Sequence, residues 1–432
     1  MIDLKGFIKK NLLLKITSLN TGVIFIRLLV ALFIQRLLAT TLGEAGIAKI
    51  GQMQNLLQVL TSTSSLGTFN GVVKYVAEYE DDQKKLSSFF STAILFGFIG
   101  ALISGIIIFF NAEFISIKLF NNNTYANLIQ YLAFVLPVIS INRILYGIIN
   151  GLSAYKAHAK IGLIGYLLTS ISLLIFLYFF SLKGVLFSII LSPVLSLFVI
   201  SLISYKRINR YLKINELGLD LSYVKPLLAF VLMSLVSSGL INYVEIDIRT
   251  TITNRINIEE AGYWTAMNFI SRNYMVFSAS LFTLYVIPKF AKINTGSEFK
   301  KEVLYIYKTI LPLFGLGMIL VYLFRNVIIS IVYPNFEGIE PLFKWQLLGD
   351  FVRLATLVLS YQFQAKKMVW SFVVTEIISL GLFYMLSKHY VDLYGAEGVV
   401  MAHFYRYIVY FIVVVIAIWY YFKNVKTNKS IT

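Results

Sequence analysis

The sequence predicts an all-α integral membrane protein with twelve transmembrane helices in two six-helix lobes. Three observations carry that expectation. The chain of 432 residues is 58% hydrophobic with a mean hydropathy of +0.77, more apolar surface than a soluble core of this length can bury. Uncharged runs at Leu86–Ala112, Leu119–Asn142, Ile161–Leu182, Gly184–Tyr205 and Pro226–Val244 are each long enough to cross about 30 Å of hydrocarbon as a helix. Short segments also recur at an offset of half the chain. Alternating strand patterns are absent and Leu, Ile and Phe abound, so helices are favoured over an outer-membrane barrel.

Taken in order, the apolar segments place helices at 14–39, 44–72, 86–111, 125–149, 159–181, 184–205, 224–249, 259–285, 302–324, 341–364, 368–388 and 396–422. Ahead of the first, Leu4, Phe7 and Ile8 oppose lysines, and residues 1–13 read as a short amphipathic helix on the membrane surface. They do not read as a signal peptide. The apolar stretch that follows is too long, carries Arg27 and Arg36, and lacks a clear small-residue cleavage site. Residues 1–210 are expected to form the first lobe, 211–223 a polar, basic linker and 224–432 the second lobe. The connections are short, leaving no room for a separate catalytic domain.

Basic residues crowd the N-terminus and every second loop: Lys5, Lys9 and Lys10, then Lys84 and Lys85, Lys156 and Lys160, Lys206 to Lys213, Lys289 to Lys301, Lys366 and Lys367, and the tail from Lys423. The other loops hold only Lys118, Lys183, Arg249, Arg255, Arg325 and Lys388. The positive-inside rule then puts both termini in the cytoplasm, which suits an even number of spans. Most of the formal net charge of +17 is thus topological.

The repeat is ordered. Glu44-Ala45-Gly46 returns as Glu260-Ala261-Gly262, 216 residues later. Val73-Lys74-Tyr75 answers Pro288-Lys289-Phe290, Ile115-Ser116-Ile117 answers Ile329-Ser330-Ile331, and Gly184-Val185 answers Gly398-Val399. With six spans per half, both halves enter the membrane in the same sense. That predicts a pseudo-two-fold along the membrane normal, with a substrate path between the lobes.

The segments Gly67-Thr68-Phe69-Asn70-Gly71-Val72-Val73-Lys74-Tyr75-Val76-Ala77-Glu78-Tyr79, Tyr285-Val286-Ile287-Pro288 and Trp345-Gln346-Leu347-Leu348-Gly349-Asp350 resemble, in sequence and spacing, signatures of Wzx-type lipid-linked oligosaccharide flippases. The nearest relatives by resemblance are the flippases of O-antigen and of the enterobacterial common antigen lipid III, in the multidrug/oligosaccharidyl-lipid/polysaccharide exporter superfamily. The resemblance implies alternating access and movement of undecaprenyl-pyrophosphate-linked glycan from the cytoplasmic to the periplasmic leaflet of a bacterial inner membrane. It also implies helices one, two, seven and eight around a central cavity. A polysaccharide polymerase and a chain-length regulator are the expected protein partners, nucleic acid is not expected, and a monomer is the default oligomeric state.

Embedded charge points toward an anionic substrate. A cation in hydrocarbon costs about 2.5–3.5 kcal/mol even on the lenient insertion scale, so it usually faces a cavity or a partner. Spacing offers partners for some: Glu245 for Arg249, Asp350 for Arg353, and Glu376 for Arg406 across helices eleven and twelve. Lys308, Lys344, Arg36 and Lys49 lie near helix ends, within snorkelling reach of the interface, and Arg143 lies toward the end of its helix. Arg27 and Arg272, one in each half, have no acid three or four residues away. They are the first candidates to bind pyrophosphate, with Arg249 and Lys49 behind them, because a guanidinium makes bidentate bonds to phosphate and stays ionised. On the second helix Gln54, Gln58, Thr61, Ser65 and Asn70 suggest either a sugar-lining face or small polar packing between helices.

No Walker motif is visible, and no cofactor is expected. Asp350 and Glu376 are the candidate carriers of a coupling proton or sodium ion, or else static salt-bridge partners. There are no cysteines, and His158, His389 and His403 are scattered, which argues against a histidine metal site. A multidrug exporter of the same superfamily is the alternative, disfavoured by the excess of embedded arginine. A membrane polymerase or glycosyltransferase is disfavoured by the short outer loops. A non-transporting scaffold leaves the charged spans unexplained.

Overall fold

The computed structural model describes residues 12–212 and 221–429, and among these it is helical without a strand. Most of the amphipathic segment expected at 1–13 and most of the linker lie outside the described residues. The first half comprises α1 (Leu12–Ser65), α2 (Thr68–Glu78), α3 (Gln83–Phe110), α4 (Ala112–Phe120), α5 (Ala126–Gly151) and α6 (Tyr155–Tyr211). In the second half α7 (Val224–Ser234) runs through a π-helical stretch, Leu235–Leu240, into α8 (Ile241–Arg255). Then come α9 (Ile258–Leu281), a second π stretch, α10 (Ile287–Lys292), α11 (Gly296–Leu323), α12 (Arg325–Val332), α13 (Leu342–Ala365) and α14 (Val369–Lys429).

Among the described residues, seven helical segments are long and apolar enough to cross a membrane. Three of them, Gly22–Ser65, Tyr155–Tyr211 and Val369–Lys423, run to 44, 57 and 55 residues, at least twice the roughly 20 that one crossing needs. Each bends once at a positive-φ residue: Gly43 (φ 63°), Ser181 (φ 49°, ψ −137°) and Gly395 (φ 58°, ψ −137°). Counting each bent segment twice and adding α9 and α13, of 24 residues apiece, gives twelve spans among the described residues. The two additions are less apolar because they carry Glu259, Glu260 and Arg272, and Lys344, Asp350 and Arg353.

The backbone repeats more faithfully than the side chains do. Asn121 and Asn335, Ser153 and Lys367, and Ser181 and Gly395 all adopt positive φ, and each pair is separated by 214 residues. A 28-residue helix, a short helix and a 3-10 turn follow one another in both halves: α3, α4 and Asn123–Tyr125 in the first, α11, α12 and Glu337–Ile339 in the second. Even the caps correspond. Asp82 accepts from the backbone NH of Lys85 (3.1 Å), and Thr295 accepts from that of Glu298 (3.3 Å). Asp82, in an exposed loop, is held below the usual carboxylate range first by that NH and then by the Lys85 ammonium. The short helices α4 and α12 were hidden in the sequence, where they merge with the neighbouring apolar runs.

The packing forms two compact units: residues up to Leu37 with Lys49–Tyr243, and Leu38–Ala48 with Val244 onward. The first therefore includes the opening part of the seventh span, and the second a short stretch around the bend at Gly43. The core of the first unit contains Val72, Val76, Phe89, Phe90, Ile148 and Leu227. Here the glycine-rich 67–79 segment acts as a packing junction. A side chain at Gly67 would collide with the backbone of Phe230, and one at Gly71 with the Leu227 side chain, so both glycines admit α7. Gly147 and Gly151 of α5 likewise accommodate Val72 and Val76 of α2. Outside, large apolar side chains such as Phe98, Phe110 and Phe134 are exposed, as a surface solvated by lipid tails requires.

After the bend at Ser181 or Gly395, Gly184 and Gly398 pass so close to the preceding helix that a methyl group would overlap the carbonyl oxygen of Phe176 or Tyr390, respectively. Gly398→Ala should therefore lose about 1–3 kcal/mol of stability. Ser181→Gly should gain about 1 kcal/mol by relieving the left-handed serine. Thermal melts of the purified protein in detergent measure both.

Candidate functional site

In the first unit Arg27 is exposed, and its guanidinium lies 4.8 Å from the Tyr166 ring centroid. Among the described residues no acid is paired with it. The aromatic face supplies a weak, non-neutralising attraction and leaves the charge available. Lys49 is partly buried, with its ammonium 5.7 Å from the Tyr125 ring. Arg143 packs over Phe69 at 4.1 Å.

The polar second helix divides into two functions. Gln54 and Gln58 are exposed, as is Asn70. Thr61 and Ser65 are turned inward, and their hydroxyls donate to the carbonyls of Leu57 and Thr61, 2.7 Å away in each case. Ser62 and Thr63 also bond back to their own helix. Such back-bonding bends helices, and this run ends at the left-handed Leu66 and Gly67, where α1 gives way to α2. Gly100 of α3 packs against the carbonyl oxygens of Thr63 and Ser64, and Ser104 donates to Thr63 at 3.1 Å. Thr61 and Ser65 thus spend their hydroxyls on their own helix, whereas Gln54, Gln58 and Asn70 remain exposed.

The second unit corrects two charge assignments. Glu245 of α8 holds Arg272 of α9 at 2.6 Å, so Arg272, half exposed, does have an acidic partner. The partner sits on another helix, where spacing within one helix does not register it. Arg249 is 2% exposed and donates from Nε to Thr265 Oγ1 at 2.8 Å, with its guanidinium 5.0 Å from the Trp264 ring. The expected pair of Glu376 and Arg406 does not form. Glu376 accepts from the Tyr410 hydroxyl at 2.6 Å. Arg406, buried, lies between the rings of Phe383 (4.6 Å) and Tyr407 (4.5 Å) and donates to the Tyr407 hydroxyl at 2.8 Å. Aromatic faces have taken the place of the carboxylate.

Asp350 fulfils its expected pairing and does more. Arg353 Nη1 is 3.7 Å from its Oδ1. The carboxylate is fully buried. Its Oδ2 accepts from Ser271 (2.5 Å), Gln346 (3.0 Å) and the Tyr274 hydroxyl, and His403 Nε2 lies 3.1 Å from Oδ1. Gly349 gives α14 room to approach, since a side chain there would strike His403 and the backbone of Phe404. Trp345 Nε1 donates to Glu397 at 3.0 Å, so the Trp345–Asp350 segment ties α13 to α9 and α14. Sequence reasoning missed Ser271, Tyr274 and His403 in this cluster. Gln346, one turn before Asp350, was the available signal.

Long apolar helical spans, exposed apolar side chains and embedded arginines define a multi-pass membrane protein. The fold is shared with solved membrane transporters. It matches an inward-facing multidrug resistance MATE family transporter with a TM-score of 0.73 at 15% identity, covering 93% of this chain and 95% of that one. It matches the lipid II flippase MurJ in its inward closed conformation with a TM-score of 0.69 at 16% identity, covering 95% and 90%. The chain belongs to the polysaccharide biosynthesis protein family, whose sequence model matches residues 12–294. It is 27% identical over 393 residues to the lipid III flippases of Escherichia coli (strain K12) and Shigella flexneri, spanning 88% of this chain and 92% of each relative.

Removing the Asp350 carboxylate would strand several buried donors. Asp350→Ala should cost about 3–5 kcal/mol. Asp350→Asn, which keeps the shape and one acceptor, should cost clearly less. Detergent thermal melts and membrane abundance of the two variants distinguish a structural anchor from a dispensable group.

Proposed function

We propose that this protein is a flippase for undecaprenyl-pyrophosphate-linked oligosaccharide, moving it from the cytoplasmic to the periplasmic leaflet of the inner membrane by alternating access, with both termini cytoplasmic. The protein is a transporter and not an enzyme. The observation that carries the reading is similarity to lipid III flippases across nearly the whole of both chains. An O-antigen unit or an enterobacterial common antigen unit is the cargo class.

Arg27 is the leading ligand for the pyrophosphate. It is a guanidinium within an apolar span, exposed, and beside a tyrosine ring rather than closed onto an acid. In the second unit Arg272, held in place by Glu245 and still half exposed, is a separate candidate for a phosphate contact. An arginine fork can meet two phosphate oxygens at once while keeping such a partner. Arg249 is buried between α8 and α9 and supports that wall, and Lys49 takes a peripheral place. Gln54, Gln58 and Asn70 supply amides to the sugars.

The first test is complementation. A deletion host should accumulate its lipid-linked oligosaccharide on the inner leaflet, and the wild-type gene should clear it. Arg27→Ala should lower glycan export about tenfold or more at unchanged abundance, as expected for one charge-assisted contact, while Arg27→Lys should retain part of it. Full export by the alanine variant would remove Arg27 from the site.

Coupling to protons or sodium is proposed to run through Glu376 before Asp350. Glu376 receives one donor, Tyr410, whereas the Asp350 oxygens are already committed to the buried cluster. An inside-negative potential would also favour outward movement of an anionic head group, by about 2.3 kcal/mol per charge per 100 mV for a full crossing. Glu376→Gln should therefore abolish the dependence of flipping on an imposed pH or sodium gradient in proteoliposomes while leaving its dependence on voltage.

A further inference from the structure

One stripe of α6 gathers donors from three helices of the first unit. His158, Gly162, Tyr166 and Ser170 follow one another at four-residue intervals, so they share a face. Tyr146 of α5 lies against that face. Its ring centroid is 5.1 Å from that of His158, and its hydroxyl would lie 3.7 Å from a Cβ on Gly162. Arg27 of α1 lies against it too, 4.8 Å from the Tyr166 ring. The Arg27 charge acts on Tyr146, His158 and Tyr166 alike, and the Arg143 charge acts on Tyr146. Arg143 Nε is buried without a hydrogen-bond partner among the described residues.

These groups supply positive charge and hydroxyls. Among the described residues no carboxylate acts on Arg143, Tyr146, His158 or Tyr166. Lys156 and Lys160, the neighbouring charges on α6 itself, are exposed, whereas His158 is partly buried. A proton on the imidazole would therefore face Arg27 with nothing negative beside it. An anion bound to Arg27 reverses that balance. Anion binding and proton uptake then favour each other, each by the same factor. We propose that His158 is a second ligand of the pyrophosphate held by Arg27, taking up a proton as the anion binds, with the Tyr146 hydroxyl as a further donor. This rests on the reading of Arg27 as a pyrophosphate ligand. The proton passes from solvent to an imidazole nitrogen on binding and returns on release, and no other bond changes. The step is confined to the first unit and uses neither Glu376 nor Asp350.

Isothermal titration calorimetry of undecaprenyl pyrophosphate into the detergent-purified full-length protein tests it. Buffers of different ionisation enthalpy count the protons taken up. At about pH 6 His158→Gln should bind about tenfold more weakly than the wild type, and by about pH 8.5 the two should converge. The variant should also take up fewer protons per ligand, while protonation of the phosphate itself is common to both. His158→Lys, charged throughout this range, should keep its affinity at about pH 8.5. Size-exclusion profiles report folding, and the lysine variant carries the test if the glutamine variant misfolds. Loss of binding in Arg27→Ala, with the same pH profile and proton count in wild type and His158 variants, would overturn this proposal alone. Wild-type affinity in Arg27→Ala, or no binding by the wild type, would overturn the pyrophosphate reading beneath it as well.

Discussion

Hydrocarbon offers a backbone no hydrogen-bond partner, and the architecture follows from that single deprivation. Helices satisfy themselves, so the chain crosses as helices. Six of its turns and bends, in three matching pairs, fall at residues in the left-handed region. Asn121, Ser153 and Ser181 in one half, and Asn335, Lys367 and Gly395 in the other, are the same solutions at one offset. These turns coincide although the side chains around them differ, because few residues and few geometries close a helical turn without exposing carbonyls to lipid. Ser181 shows the pressure of the constraint: it holds a conformation that its counterpart entrusts to glycine.

The same solvent explains how the embedded charges are housed. Asp350 is tolerated because donors from three helices meet it, Arg406 because two aromatic rings and a hydroxyl enclose it, and Arg272 because Glu245 reaches it from the neighbouring helix. Arg27 lies on an exposed surface with a tyrosine face beside it. The contrast separates charges met by a neighbouring helix from an exposed guanidinium beside an aromatic face. It also accounts for the glycine-rich and Trp-Gln-Leu-Leu-Gly-Asp segments, which carry the family likeness but chiefly seat one helix against another.

Much of this was legible beforehand for physical reasons. Span number follows largely from hydropathy, because most residues of a span face either lipid or apolar core. The repeat showed through Glu-Ala-Gly and Gly-Val pairs, since glycine at a close approach leaves no substitute. The pairing of Asp350 with Arg353 was visible because helix geometry brings residues three apart together. Glu245 with Arg272, His403 with Asp350 and Tyr166 with Arg27 were not, because no local period encodes which helix lies beside which.

The sequence by itself determined the class of solvent this protein lives in, the number of crossings, the basic loops and the existence of an internal repeat. These are properties of composition and local order. The tertiary structure alone decided which embedded charges are neutralised and which are presented, and which of the second helix's hydroxyls bend it. Those outcomes depend on distances of a few ångströms between helices remote in the chain, and short-range electrostatics and hydrogen bonding are decided at that distance.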